Sequence, residues 1–117
     1  MHNMVYLIGR LTDNPEIKEL ESGKSVANVK IAVQRSFKNE EGVYETDFFP
    51  CSLWNGIAAN TAEYCKKGDL VGIKGRLENN SYTDKETGET KFAVNVVVDK
   101  ISFLASKKDP SHDDDVR

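Results

Sequence analysis

The stretch Phe48-Phe49-Pro50-Cys51-Ser52-Leu53-Trp54 decides how this chain folds and which of its faces carries function. In an extended strand, successive side chains leave on opposite sides. Phe49, Cys51 and Leu53 therefore share one side, the side expected to face a core. Phe48, Pro50, Ser52 and Trp54 share the other. A face that sets Phe and Trp beside proline and serine packs poorly, but it receives flat ligands well. A tryptophan is more often a core residue than a platform. Here the parity of Trp54 with Phe48, against Phe49 and Leu53, assigns it outward.

Upstream of this strand, Lys38-Asn39-Glu40-Glu41-Gly42 is a polar hairpin loop, and residues 26–35 alternate as a half-buried strand should. Val29, Ile31 and Val33 oppose Asn28, Lys30 and Gln34. Asp13-Asn14-Pro15 and Glu21-Ser22-Gly23-Lys24 are turn chemistry, with a short strand expected within 16–20. The first strand, Val5–Leu11, is apolar on both parities: Val5 and Leu7 on one side, Tyr6 and Ile8 on the other. One face can enter a core; the other needs a second cover, and a neighbouring subunit is the simplest one.

Downstream, residues 57–67 form the one convincing helix. Ile57, Thr61 and Tyr64 with Ala58, Ala62 and Cys65 make a single stripe. Lys66 and Lys67 are expected in its last turn and Gly68 as its left-handed stop. A strand over 69–77 follows, then the polar tip Asp84-Lys85-Glu86-Thr87-Gly88-Glu89. A strand over 91–98 bears Phe92, Val94, Val96 and Val98, and residues 101–104 finish the edge. Five strands with a short helix between the third and fourth predict an all-β chain, a five-stranded oligonucleotide-binding (OB) barrel. Residues 1–105 form the domain, and 106–117, without apolar periodicity, are expected to be a flexible acidic tail.

Composition agrees with a single soluble domain: 117 residues, 38% hydrophobic and 30% charged. No apolar run approaches membrane-spanning length, and the first residues lack signal-peptide character, so a cytoplasmic, nucleoid-associated protein is expected. Cys51 and Cys65 have no metal-ligand spacing and read as apolar packing groups. No metal and no cofactor are expected. The net charge of −3 comes from the tail, where Asp109, Asp113, Asp114 and Asp115 outnumber Arg117. Residues 1–108 balance 15 cations against 15 anions. A neutral body still binds a phosphate chain if its cations share a face.

Those cations are interleaved with aromatics. Phe37, Phe48, Trp54 and Tyr82 are the candidate stacking residues, and Arg10, Lys30, Arg35, Lys38, Lys74 and Arg76 the candidate phosphate contacts. Lys74, Arg76, Glu78, Asn80 and Tyr82 share a parity opposite Val71, Ile73 and Leu77. For any single cation a solvated face is the ordinary reading, and only the grouping changes it. Tyr82 beside a loop reads equally well as surface decoration. Phe37 has the parity of Ile31 and Val33, so strict alternation would bury it unless a bulge or twist intervenes. Each base offers a π-face whatever its identity, while Lys and Arg neutralise phosphates. The combination is what single-stranded nucleic acid requires.

Several segments together resemble the bacterial single-stranded DNA-binding protein family. They are Val5-Tyr6-Leu7-Ile8-Gly9-Arg10-Leu11, Asp13-Asn14-Pro15, Val26-Ala27-Asn28-Val29, the 48–54 strand, Tyr64-Cys65-Lys66-Lys67-Gly68-Asp69-Leu70-Val71, Ile73-Lys74-Gly75-Arg76-Leu77 and Ser81-Tyr82. The resemblance implies an OB fold, a homo-oligomer that is tetrameric in most members, and DNA binding without sequence preference. It implies base-stacking roles for Phe37, Phe48, Trp54 and Tyr82, and pairing of subunits through the first strand, at Val5, Tyr6 and Ile8. The tail departs from fuller members, which carry a long linker and acidic residues capped by Pro-Phe. Asp113-Asp114-Asp115-Val116-Arg117 has no such cap, so recruitment of partner enzymes by that route is not expected. A short phage, mobile-element or paralogous form is.

Two other classes compete. A nuclease would need carboxylates clustered around a metal. Asp13, Asp47, Asp69 and Asp99 lack ligand spacing, and His2 and His112 lie at opposite ends, so no enzyme is expected. An assembly factor would use the same aromatic face less intensively. RNA is a weaker second ligand, because a stacking face discriminates little against the 2′-hydroxyl.

Overall fold

The computed structural model describes residues 1–106; the tail expected over 106–117 lies, apart from Ser106, outside them. The chain runs β1 (Val5–Leu11), β2 (Lys18–Glu19), β3 (Ser25–Lys38), β4 (Tyr44–Trp54), α1 (Asn55–Tyr64), β5 (Leu70–Thr83) and β6 (Thr90–Ala105). Apart from the two-residue β2, these are five strands with a helix between the third and fourth, the expected order.

The strands line up as β1-β5-β6-β4-β3-β2, and a further β1–β3 pairing at Arg10↔Ala32 and Leu11↔Ile31 closes the sheet into a barrel. Closure also uses a short parallel contact between β4 and β6, Cys51↔Val96 and Ser52↔Val97. Two glycines allow the strands to approach where the barrel bends. A Cβ on Gly9 would collide with the Ala32 carbonyl oxygen, and one on Gly75 with that of Val97. Both positions need the missing side chain.

Parity reads correctly across most of the barrel. Leu11, Ala27, Val29, Ile31, Cys51, Leu53, Val71, Ile73, Val96 and Val98 form the core with Ala58 and Cys65, and each is almost fully removed from solvent. Burial pushes the Cys51 thiol up to about 11 and raises that of Cys65, so both stay protonated at neutral pH. Phe49 has core parity but is only half-buried and lies outside the core cluster. It sits beside Ile31 near the rim, where the barrel no longer encloses it.

Other expectations need correction. The helix begins two residues earlier than its apolar stripe and ends at Tyr64, with Cys65 already extended at φ −118°. Lys66 and Lys67 thus lie beyond it, and Gly68, at φ 92°, serves the turn in which Asp69 N–H donates to Lys66 O. Ala58, Thr61 and Cys65 are buried, but Tyr64 is 68% exposed. The strands also run further than expected: β5 and β6 form one long hairpin and β3 and β4 another, each passing the barrel rim as an arm. Phe92 and Val94 have core parity yet stay exposed, because beyond the rim there is no core to cover them, and Leu77, opposite the buried Val96, is exposed at the rim itself.

Candidate nucleic-acid interface

The outer face of the barrel is set by β4. Phe48 is 59% exposed and Trp54 half-buried, on the same side of the strand and six residues apart, about 20 Å along it. Their separation from Leu53 and Cys51 on the inner side is as alternation requires. Trp54 precedes a sharp change of direction: Asn55 adopts φ 51°, a region that asparagine tolerates, and its Oδ1 accepts from Ser25 N–H at 3.1 Å. The indole is therefore held at the strand's end. It lines a recess of about 400 Å³ with Lys24, Arg76, Glu78 and Asp99.

Tyr82, 56% exposed, stands on the β5–β6 arm opposite Lys91, with the parity of Glu78, which stands opposite Asn95. Phe37, 66% exposed, stands on the β3–β4 arm just past a register shift between Gln34 and Lys38. The ladder is interrupted there, with four residues of β3 spanning two of β4, an even offset that leaves the parity unchanged. What frees Phe37 is mainly reach, since its arm has left the core behind. Lys38 pairs with Tyr44 and its Nζ lies 5.7 Å from that ring's centre.

The six candidate cations do not form one uniform set. Lys30 is exposed beside Pro50, between the two β4 aromatics. Arg76 shares the Trp54 recess, but its guanidinium donates to Asp99 at 3.0 Å and Glu78 at 3.2 Å. Arg35 makes a two-pronged contact with Asp47, 3.0 Å for each bond, and a third bond to Glu45 at 2.8 Å. Asp47 and Glu45 alternate with Phe48 along β4, so Arg35 lies on the arm's other face. The guanidinium of Arg35 holds the Asp47 carboxyl below the usual carboxylate range, and Asp47 in turn raises the arginine. All these pairs are solvent-exposed, and such pairs contribute little and exchange readily with another anion. Neither arginine was legible as carboxylate-bound in the sequence, because the pairing depends on cross-strand register.

Arg10 donates to the Gly68 carbonyl at 2.9 Å. Lys74 lies away from Trp54, in a shallow recess with Tyr6, Ile8, Lys100 and Leu104. That recess belongs to a second exposed apolar area. Tyr6 is 70% exposed, Ile8 58% and Leu104 48%, while Val5 is half-buried on the opposite side of β1. The expected interface residues thus divide, with Tyr6 and Ile8 outward and Val5 inward.

Aromatic exposure is broader than the sequence reading allowed. Phe92, which shares the parity of the buried Val96 and Val98, is 70% exposed on its arm. Its nearness to the polar tip at 84–89 was the available clue. Among the described residues, no group of His, Cys, Asp and Glu is arranged to hold a metal ion, and no helix is long and apolar enough to cross a membrane.

Residues 2–104 match the model of the single-strand binding protein family. The chain is 44% identical over 107 residues to single-stranded DNA-binding protein B of Bacillus subtilis, covering 92% of this chain and 94% of that one. It is also 44% identical over 108 residues to single-stranded DNA-binding protein 1 of Clostridium acetobutylicum, covering 92% and 97%. A single-stranded DNA-binding protein of Oceanobacillus iheyensis is 41% identical over 107 residues, 92% of this chain and 66% of that relative.

Proposed function

The chain belongs to the single-strand binding protein family, and we propose that it coats single-stranded DNA without sequence preference, by stacking bases on aromatics and neutralising phosphates with Lys and Arg. The observation that supports this best is the outer face of β4, where Phe48 and Trp54 stand clear of the core that their neighbours Cys51 and Leu53 fill. Phe37 and Tyr82 extend the platform onto the two arms. Lys30 beside Pro50, and Arg76 beside Trp54, are the cations we assign to phosphate contact first; Lys38, Arg10 and Arg35 are further candidates, and Lys74 lies in the recess of Tyr6 and Ile8. The protein acts by binding alone, in the cytoplasm with the nucleoid, serving replication, repair, recombination or transfer.

The exposed Tyr6, Ile8 and Leu104 surface is apolar and needs a cover, and a second copy of the chain provides it, with a tetramer as the assembly. Val5 contributes from beneath by fixing the strand.

Titration of the chain with oligothymidine while following Trp54 emission tests the reading. A stacked base is expected to quench the indole, and affinity is expected to fall with salt at a logarithmic slope of about −0.7 for each phosphate contacted. Unchanged emission at low salt would instead favour an assembly role.

A further inference from the structure

Between Phe48 and Trp54 the outer face carries no aromatic ring; beside Lys30 and Pro50 it is rich in amides. Asn28 on β3, Ser52 on β4 and Asn95 on β6 form one hydrogen-bonded chain across three strands. The Asn95 amide donates to Ser52 Oγ at 2.7 Å, and the Ser52 hydroxyl donates to Asn28 Oδ1 at 3.2 Å. Ser52 is only 6% exposed, whereas Asn28 is exposed and Asn95 half-buried. The serine is thus a buried link with an amide at each end.

A hydroxyl has one proton to donate. If it donates to one amide it must accept from the other, so one asparagine turns an NH₂ group outward and the other a carbonyl oxygen. Turning over both amides reverses the chain and exchanges these ends. In either direction the pair offers one donor and one acceptor. Both asparagines line the same pocket of about 340 Å³, whose wall also holds Pro50, Lys30 and Asp13. Pro50 is a flat apolar surface, and Lys30 is a cation for a phosphate.

We propose that Asn28, Ser52 and Asn95 form a reversible base-edge site for one nucleotide of a single strand, holding the base by hydrogen bonds rather than by stacking. The inference rests on the DNA-binding reading above and adds a distinct subsite to it. The Watson–Crick edges of adenine and cytosine set an exocyclic donor beside a ring acceptor; thymine and guanine set an exocyclic acceptor beside a ring donor. One direction of the amide chain suits the first pair, and the reverse direction suits the second. The site therefore grips a polar base edge without choosing among the four bases. Ser52 touches no base and positions the two amides.

The test compares oligothymidine with an oligothymidine of the same length bearing a methyl group on the ring nitrogen of every base, which keeps the π-face but removes the ring donor. Both are titrated by Trp54 quenching. Unmodified protein is expected to bind the methylated strand more weakly, by roughly two- to tenfold, the value of one hydrogen bond, with similar quenching at saturation. In the Asn28→Ala, Asn95→Ala double variant, folding confirmed by circular dichroism, the two strands are expected to bind equally. Should Asn95→Ala fail to fold, Asn28→Ala alone decides, since that side chain is exposed, and its discrimination is expected to shrink. Equal binding of both strands by unmodified protein, or undiminished discrimination by the variants, would overturn the base-edge site. Failure to bind oligothymidine at all is a different result and would overturn the DNA-binding reading itself.

Discussion

Leu53→Ala is expected to lower the free energy of unfolding by roughly 2–5 kcal/mol, through lost burial and the cavity left behind. Leu53 is fully buried, opposite the equally buried Ala27, whose small side chain has nothing with which to fill the space. A domain of this size is ordinarily stable by about 5–15 kcal/mol, so the change removes a large share of the total. Urea unfolding followed by far-ultraviolet circular dichroism measures it. A loss under about 1 kcal/mol would mean that the inner side of β4 has been misassigned.

One residue later the effect should reverse in kind. Trp54→Ala is expected to weaken binding of single-stranded DNA by about 1–3 kcal/mol, the stacking of one base, which is roughly five- to 150-fold in the dissociation constant. Because the indole is half-buried beside Arg76 and Val97 rather than set in the core cluster, the barrel should survive its removal. Fluorescence anisotropy of a labelled oligothymidine reads the affinity, and a circular dichroism melt reads the fold. A variant that unfolds would place Trp54 among the structural residues. One that binds as tightly as before would remove it from the interface.

These two neighbouring residues show how much the sequence discloses. The period-2 pattern of 48–54 separates inner from outer side chains without knowledge of the partner strands, because alternation is a property of the strand itself. The helix expected over 57–67 was legible from its apolar stripe, and Asn55–Tyr64 is the helix found, with Ala58 and Thr61 buried. Its end was not. Lys66, Lys67 and Gly68 have the chemistry of a helix terminus, but the chain was already extended at Cys65, and Gly68 was needed for the turn that follows.

Whatever depends on what lies above a face was hidden. Phe92 and Val94 alternate like core residues, yet parity names a side and cannot say whether anything covers it. Phe49 fails at the rim for the same reason. The carboxylates on Arg35 and Arg76 depend on which residues stand opposite across the ladder, and register is set by turns and bulges that one strand does not reveal. The amide chain of Asn28, Ser52 and Asn95 joins strands distant in sequence, and only the closed barrel brings them together.

The central claim is that bases lie against the outer face of β4. Ultraviolet cross-linking of the chain to oligothymidine, with the attached peptides identified by mass spectrometry, tests it most directly. Adducts on Phe48 and Trp54, with further ones on Phe37 and Tyr82, are the predicted result. Adducts confined to the Tyr6, Ile8 and Leu104 surface, with none between residues 48 and 54, would contradict it.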